Sequence, residues 1–195
     1  KNLENVIILG NKKFENVIRK GSKMELRRKI YNRMLKWKQE DAGSTALLLE
    51  GARRVGKSHI AEGFGKGEYK TYLLIDFSNI SRQVLDVFEN DFTDYDTFFN
   101  KLSVFYGVKL FVRESLIIFD EVQMYPKARQ MIKHLVADGR YDYLETGSLI
   151  TLKQNVEGIV LPSEEEHINM YPLDFEEFLW ALGDEMTGPY MKICF

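Results

Sequence analysis

The sequence predicts an α/β fold, a mostly parallel sheet covered by helices on both faces. Three observations point there. Strand-like apolar runs alternate with segments of helical periodicity, the pattern of successive β-α-β units. The run Ala46-Leu47-Leu48-Leu49 leads into Gly51-Ala52-Arg53-Arg54-Val55-Gly56-Lys57-Ser58, which has the spacing of a phosphate-binding loop between a strand and a helix. A second apolar run, Leu116-Ile117-Ile118-Phe119, ends in Asp120-Glu121. Continuous apolar runs of this kind mark strands buried on both faces.

Taken in order, residues 1–23 hold Glu4-Asn5-Val6-Ile7 and Glu15-Asn16-Val17-Ile18 around Gly10-Asn11. This short repeat either forms a small hairpin or has no structural meaning. From Met24 to Gln39 the apolar residues Leu26, Ile30, Met34 and Trp37 recur at helical spacing, which predicts an amphipathic helix ending before Asp41-Ala42-Gly43-Ser44. Strand one covers Ala46–Glu50. The helix after the loop runs to about Phe64, where Gly63, Gly65 and Gly67 punctuate it. Strand two covers Thr71–Phe77, with helices at 81–90 and 94–106. Strand three is Leu116–Asp120. Pro126 opens a helix over 127–138, because proline is preorganised for a first helical turn. Strand four is Tyr141–Thr146, followed by Gly147-Ser148. Residues 153–166 read as a polar loop whose acidic run, Glu164-Glu165-Glu166, faces solvent. A fifth strand spans His167–Tyr171. Asp174 caps a last helix, on which Phe175, Phe178, Leu179 and Leu182 form an apolar stripe that is core or a partner contact.

This division gives an extension over residues 1–23, a core over 24–184, and a tail over 185–195 that is a terminus or the start of a further module.

The chemistry lies in the loop and in the acidic pair. Gly51 and Gly56 let the backbone turn and bring its N–H groups close to a phosphate. Lys57 supplies a positive charge to the outer phosphates, and the Ser58 hydroxyl suits Mg²⁺. The helix starting near Lys57 adds the positive end of its dipole. Ligands of such sheets bind at the carboxyl ends of the strands, so Asp120 emerges beside the loop as a second Mg²⁺ ligand. Glu121 follows it as a candidate base for an attacking water. At the end of strand four, Thr146 and Ser148 are the polar candidates to reach the γ-phosphate or that water.

Composition narrows the classes. The 195 residues are 45% hydrophobic, enough for a domain with a real core. The single cysteine, Cys194, excludes an internal disulfide and fits a reducing, cytoplasmic setting. No apolar run reaches the roughly 20 residues of a membrane span, and charges interrupt residues 1–23 where a secretory signal would need an apolar stretch. His59, His134 and His167 are isolated, and none belongs to a cluster with metal-ligand spacing. The net charge of −2 hides an asymmetry, because residues 1–58 hold 15 Lys and Arg against 6 Asp and Glu. Two readings are open: some of these charges serve nucleotide phosphates and the rest are solvated helix faces, which is the favoured one, or the basic front end contacts nucleic acid or an acidic partner.

The chain resembles the prokaryotic AAA+ superfamily ATPases of uncharacterised role, which usually carry a further C-terminal domain. The resemblance rests on the loop at 51–58, Ile118-Phe119-Asp120-Glu121-Val122-Gln123, Glu145-Thr146-Gly147-Ser148, and Tyr171-Pro172-Leu173-Asp174-Phe175-Glu176-Glu177-Phe178-Leu179. It implies a P-loop NTPase core of five strands, with the Tyr141–Thr146 strand between the first and third. It implies nucleotide contacts from Gly51 through Ser58, and Ser148 or Thr146 as the sensor of the γ-phosphate. No arginine finger is fixed by the sequence: Arg113, Arg129 and Arg140 are available for that role or are ordinary surface arginines. The expected activity is hydrolysis of ATP to ADP and phosphate with Mg²⁺, with Lys57, Glu121 and Ser148 as catalytic residues and Ser58 and Asp120 as metal ligands. A homo-oligomer is one arrangement open to it, since an arginine from a second subunit accelerates such enzymes; the sequence does not choose between this and a single chain. The alternative is an ATP-gated switch or DNA- or protein-binding module with little hydrolysis.

Overall fold

The computed structural model describes residues 26–148 and 163–194. The hairpin expected in residues 1–23, and most of the polar loop at 153–166, lie outside the described residues. The described residues divide into two compact units, one spanning Ile30–Pro172 and the other joining Leu173 onward to the residues up to Lys29.

In the larger unit the strands are β1 (Ala46–Gly51), β2 (Thr71–Asp76), β3 (Ser115–Asp120), β4 (Asp142–Ser148) and β5 (Glu165–Met170). They form one sheet in the order β2-β3-β4-β1-β5, with every pair parallel. The implied insertion of the fourth strand between first and third is therefore present. The connecting helices are α1 (Ile30–Glu40), α2 (Lys57–Glu68), α3 (Arg82–Asn90), α4 (Tyr95–Tyr106) and α5 (Pro126–Asp138). Successive strand residues point to opposite faces, so one apolar run feeds two cores. Leu47, Leu49, Leu116, Ile118 and Leu144 pack with α1 and α2 around Trp37 and Phe64. Leu48, Ile75, Ile117, Phe119 and Tyr143 pack with α3, α4 and α5. On that second face Phe77, Phe88, Phe98 and Phe119 meet edge to face with ring centroids 5.2–5.8 Å apart, the arrangement aromatic quadrupoles favour.

Three expectations need correcting. The first helix starts at Ile30 rather than at Met24, and Leu26 is 38% exposed. Gly63, Gly65 and Gly67 do not end α2 but lie inside it, since the helix continues to Glu68. Gly65 has a packing reason to be there. A Cβ at that position would sit 2.9 Å from the Tyr72 side chain, so the glycine lets α2 approach the sheet closely. The acidic run at 164–166 is not solvated as a block. Glu165 opens β5, and its side chain is fully buried against Arg129 of α5.

In the smaller unit, α6 (Phe175–Ala181) and α7 (Thr187–Cys194) follow one another. Asp174 caps α6 as expected, in a reciprocal capping box with Glu177. The Lys29 backbone N–H donates to Glu177 Oε1 at 2.7 Å, and Lys29 Nζ pairs with Asp174 at 2.6 Å and Glu176 at 2.7 Å. Lys29, which the periodicity assigned to the first helix, thus binds the carboxylates at the start of α6 instead. Of the predicted stripe only Leu179 is buried; Phe175, Phe178 and Leu182 are exposed.

Candidate functional site

Parallel strands place all their carboxyl ends on one rim, and the order β3-β4-β1 makes three of those ends neighbours. Gly51 of β1 is in register with Ser148 of β4, and Phe119 of β3 with Glu145 of β4. The phosphate-loop pattern, the acidic pair and the polar end of strand four therefore meet at one place.

The loop leaves β1 at Gly51 and enters α2 at Lys57. Gly56 is the N-cap with φ 97°, a left-handed conformation, and no side chain caps the helix. The first amides of α2 are left for a ligand, at the positive end of its dipole. Arg54 is also left-handed, with φ 63°. Gly51 has a different reason from the one its motif suggests. A Cβ there would fall within contact distance of the Met170 backbone carbonyl of β5, so the glycine is required by strand packing rather than by a turn. Gly51→Ala should consequently cost about 1–3 kcal/mol, the usual range for overpacking. A lowered denaturant midpoint checks this; a midpoint equal to the parent's would mean that β5 yields freely.

Lys57 is buried at 4% exposure. Its Nζ donates to the carbonyls of Ala52 at 2.8 Å and Gly51 at 3.3 Å. Burial holds its pKa below the ordinary lysine value, while the charges of Glu121 and Asp120 push the other way. The ammonium therefore sits within electrostatic reach of both acids, as the two motifs required.

Asp120 is 7% exposed. Burial raises its pKa, and hydrogen bonds from Thr146 and Ser58 pull it back down. The Thr146 hydroxyl donates to Asp120 Oδ1 at 2.5 Å and accepts the Glu121 backbone N–H at 3.1 Å. Thr146 thus holds the acidic pair in place. The Ser58 hydroxyl and the Asp120 carboxylate, near enough for the hydroxyl to lower the carboxyl's pKa, are hard oxygen donors of the kind Mg²⁺ takes, usually alongside waters and substrate phosphates. A buried carboxylate with a raised pKa is also a group that a bound cation would relieve. The residues fit that ion. Among the described residues no group of three or more His, Cys, Asp or Glu could hold a metal by itself.

Glu121 stands in left-handed backbone, φ 54°, as the N-cap of a short 3-10 turn over Val122–Met124. Gln123 in that turn is 4% exposed. Its Nε2 donates to Glu121 Oε2, and its Oε1 accepts the Ser148 backbone N–H at 3.2 Å. Asp76 of β2 lies in register with Asp120, and its charge also acts on that carboxyl.

The structure thus brings together Gly51, Lys57, Ser58, Asp120, Glu121 and Ser148. Sequence reasoning included Gln123 in the motif at 118–123 but gave it no role, because nothing in the spacing says what a glutamine two residues after the acid touches. It named Thr146 as a candidate sensor but not as the residue that holds Asp120 and Glu121. The three candidate arginines are all engaged. Arg113 pairs with Asp142 at 2.7 Å, Arg129 with Glu165 at 2.6 Å, and Arg140 with Asp96 and Asp138 at 2.6 and 2.7 Å. A concavity at the opposite rim, lined by Lys38, Glu68, Tyr69, Lys70, Arg113 and Glu114, has its three cations paired with carboxylates and offers no free charge to a phosphate.

A family model described as AAA domain matches residues 43–179. Among solved structures, the chain is similar to a closed-state cryoEM reconstruction of Hsp104 with ATPγS and FITC casein. The identity is 14% and the TM-score 0.53, over 87% of this chain and 31% of that one. A structure of C. elegans PCH-2 is matched at 12% identity and TM-score 0.35, over 74% of this chain and 39% of that one. The chain therefore spans well under half the length of both. No curated protein matches the sequence. Among the described residues no helix is long and apolar enough to cross a membrane.

Proposed function

The chain belongs to the AAA domain family of the AAA+ superfamily of P-loop ATPases, and from that premise we propose that it binds ATP with Mg²⁺ and hydrolyses it to ADP and phosphate. One observation carries the reading. Lys57, Ser58, Asp120 and Glu121 converge at the uncapped start of α2.

Residues 51–58 wrap the phosphates, with Gly51, Ala52, Arg53, Arg54, Val55 and Gly56 supplying backbone. Lys57 leaves the carbonyls of Gly51 and Ala52 for the β- and γ-phosphates, which offer it full negative charge in place of dipoles. Ser58 and Asp120 would hold Mg²⁺, whose contribution when bound is to neutralise charge on the phosphate oxygens. Glu121 accepts the proton of the attacking water. Ser148, with its backbone tied to Gln123, stands beside Gly51 as the sensor of the γ-phosphate. Catalysis here is positioning and charge neutralisation, with no covalent step on the protein.

Titration calorimetry tests the binding half. Lys57→Ala should weaken Mg-ATP binding by at least about tenfold, since a charge-assisted contact of this type is worth roughly 1.5–3 kcal/mol. Unchanged affinity would remove Lys57 from the site.

A second reading, a nucleotide-gated switch with slow turnover, draws on the three paired arginines. With Arg113, Arg129 and Arg140 each held by a carboxylate of the same chain, none of the three stands ready as an arginine finger. Phosphate release that climbs with protein concentration would favour an oligomeric hydrolase. A flat, slow rate, joined to salt-sensitive retention on DNA, would favour the switch. A cytoplasmic location and a DNA or protein partner for the basic N-terminal third belong to the same proposal.

A further inference from the structure

We propose that Gln123 is a positioning residue for the hydrolytic step, which transmits the placement of the β4 end to the Glu121 carboxylate. The inference rests on the reading of Glu121 as the base.

Two tethers join the acidic turn to β4. The first runs through the Thr146 hydroxyl, which accepts the Glu121 backbone N–H at 3.1 Å and donates to Asp120 at 2.5 Å. It fixes where the Glu121 backbone lies but leaves the side chain free to rotate. The second runs through Gln123. Its amide N–H donates to Glu121 Oε2, and its amide oxygen accepts the Ser148 N–H at 3.2 Å. One planar amide thereby spans the candidate base and the candidate sensor.

The chemistry of the amide suits this role. A carboxamide donates at one end and accepts at the other, so it can hold a carboxylate and a backbone N–H together. At 4% exposure it does so where water competes little. A carboxylate oriented by one fixed donor keeps its other oxygen for the water proton. Short side chains cannot bridge the gap, and a glutamate in its place would lose the donor. Glu121 also sits in left-handed backbone, φ 54°, so its position depends on such external ties more than a residue in regular structure would. Any displacement of Ser148 by a γ-phosphate pulls on the Gln123 oxygen, and through the rigid amide on Glu121.

The test uses the full chain with Q123A, Q123E, E121Q and E121A. Misplacing a reacting group by about 1 Å costs on the order of 10²-fold in rate. Q123A and Q123E should therefore lower kcat by roughly ten- to a hundredfold, with the KM for ATP and the calorimetric affinity for Mg-ATP nearly unchanged. Q123E keeps the size and the acceptor for Ser148 while it loses the donor and adds a negative charge beside Glu121, so a comparable loss in the neutral Q123A and in Q123E assigns the effect to the donor they both lack rather than to packing or charge. An NMR signature is independent of turnover. The Gln123 side-chain amide protons, identified by their loss in Q123A, should exchange slowly in the parent, and E121A should release them. Parent-like kcat in both Gln123 variants, while E121Q is inactive, overturns the inference alone. So does a faster Q123A, which would make the amide a restraint, or a freely exchanging amide in the parent. A parent-like rate in E121Q overturns the reading of Glu121 as base and this inference with it.

Discussion

Glu121→Gln should abolish turnover while leaving Mg-ATP affinity within about twofold of the parent. A positioned general base contributes roughly 10²–10⁴-fold, and the glutamine cannot accept the water proton. The substitution is nearly isosteric, and the site keeps its shape around it. Thr146 still accepts the backbone N–H of residue 121. The new side-chain amide can turn its oxygen toward the Gln123 donor. Residues 51–58, which grip the phosphates, are untouched. Steady phosphate release and calorimetry on the same preparation separate the two effects. Release at the parent rate would show that another group takes the proton. Loss of affinity in step with rate would instead show that residue 121 shapes the nucleotide pocket.

Arg129→Ala should destabilise the protein by about 3–5 kcal/mol, the range for breaking a buried ion pair from one side. Arg129 bonds Glu165 through both its Nε at 3.0 Å and its Nη2 at 2.6 Å. The Glu165 side chain is 0% exposed. Burial works against the arginine's charge, yet Glu165 holds its pKa above the ordinary value. Glu145 lies in the same buried cluster, its pKa pushed well up by burial and by the charge of Glu165. Removing Arg129 leaves His167, at 3.3 Å, as the cation beside Glu165.

The pH dependence follows from the sign of the His167 shift. The hydrogen bond to Glu165 raises its pKa. A raised histidine contributes stability that is full below its unfolded value, near 6.5, and is lost as pH rises through the folded value. The deficit of the variant should therefore be smaller at pH 5.5 than at pH 8. Denaturant melts at the two pH values measure it. Arg129→Met with Glu165→Gln should recover much of the loss, because the pair is then removed from both sides. A deficit below about 1 kcal/mol for Arg129→Ala would mean that Glu165 reaches water.

The same cluster shows where sequence reading stops. Glu164-Glu165-Glu166 reads as a solvated run because three charges in a row seldom enter a core. Their fate depended on Arg129, 36 residues away and on another element. A buried partner is a tertiary fact that local pattern does not carry. The strands at 46–51 and 115–120 are legible because burial on both faces demands unbroken apolar runs, and the edge strand at 71–76 is legible from its shorter run Tyr72-Leu73-Leu74-Ile75 although alternate residues are only half-buried. The sequence ends helix α2 too early because glycine is punctuation in most contexts. Here the contact with Tyr72 gives Gly65 a different purpose. Periodicity places the start of α1 too early because Leu26 fits the helical period, while Lys29 is claimed by carboxylates near position 174. At the site, the loop and the acidic pair carried their own spacing. Gln123 and the double role of Thr146 had none, because hydrogen bonds between strand ends leave no period in the chain.

Arg54 and Glu121, at φ 63° and 54°, occupy backbone that glycine or asparagine would adopt with less strain. Anyone seeking a hardier version of this protein would be drawn to those two positions first. Relaxing Glu121 in that way would remove the acid from the chemistry, so thermal robustness and working chemistry pull in opposite directions at that residue. Gains in robustness are better sought on the helices of the far rim, away from the ends of β1, β3 and β4.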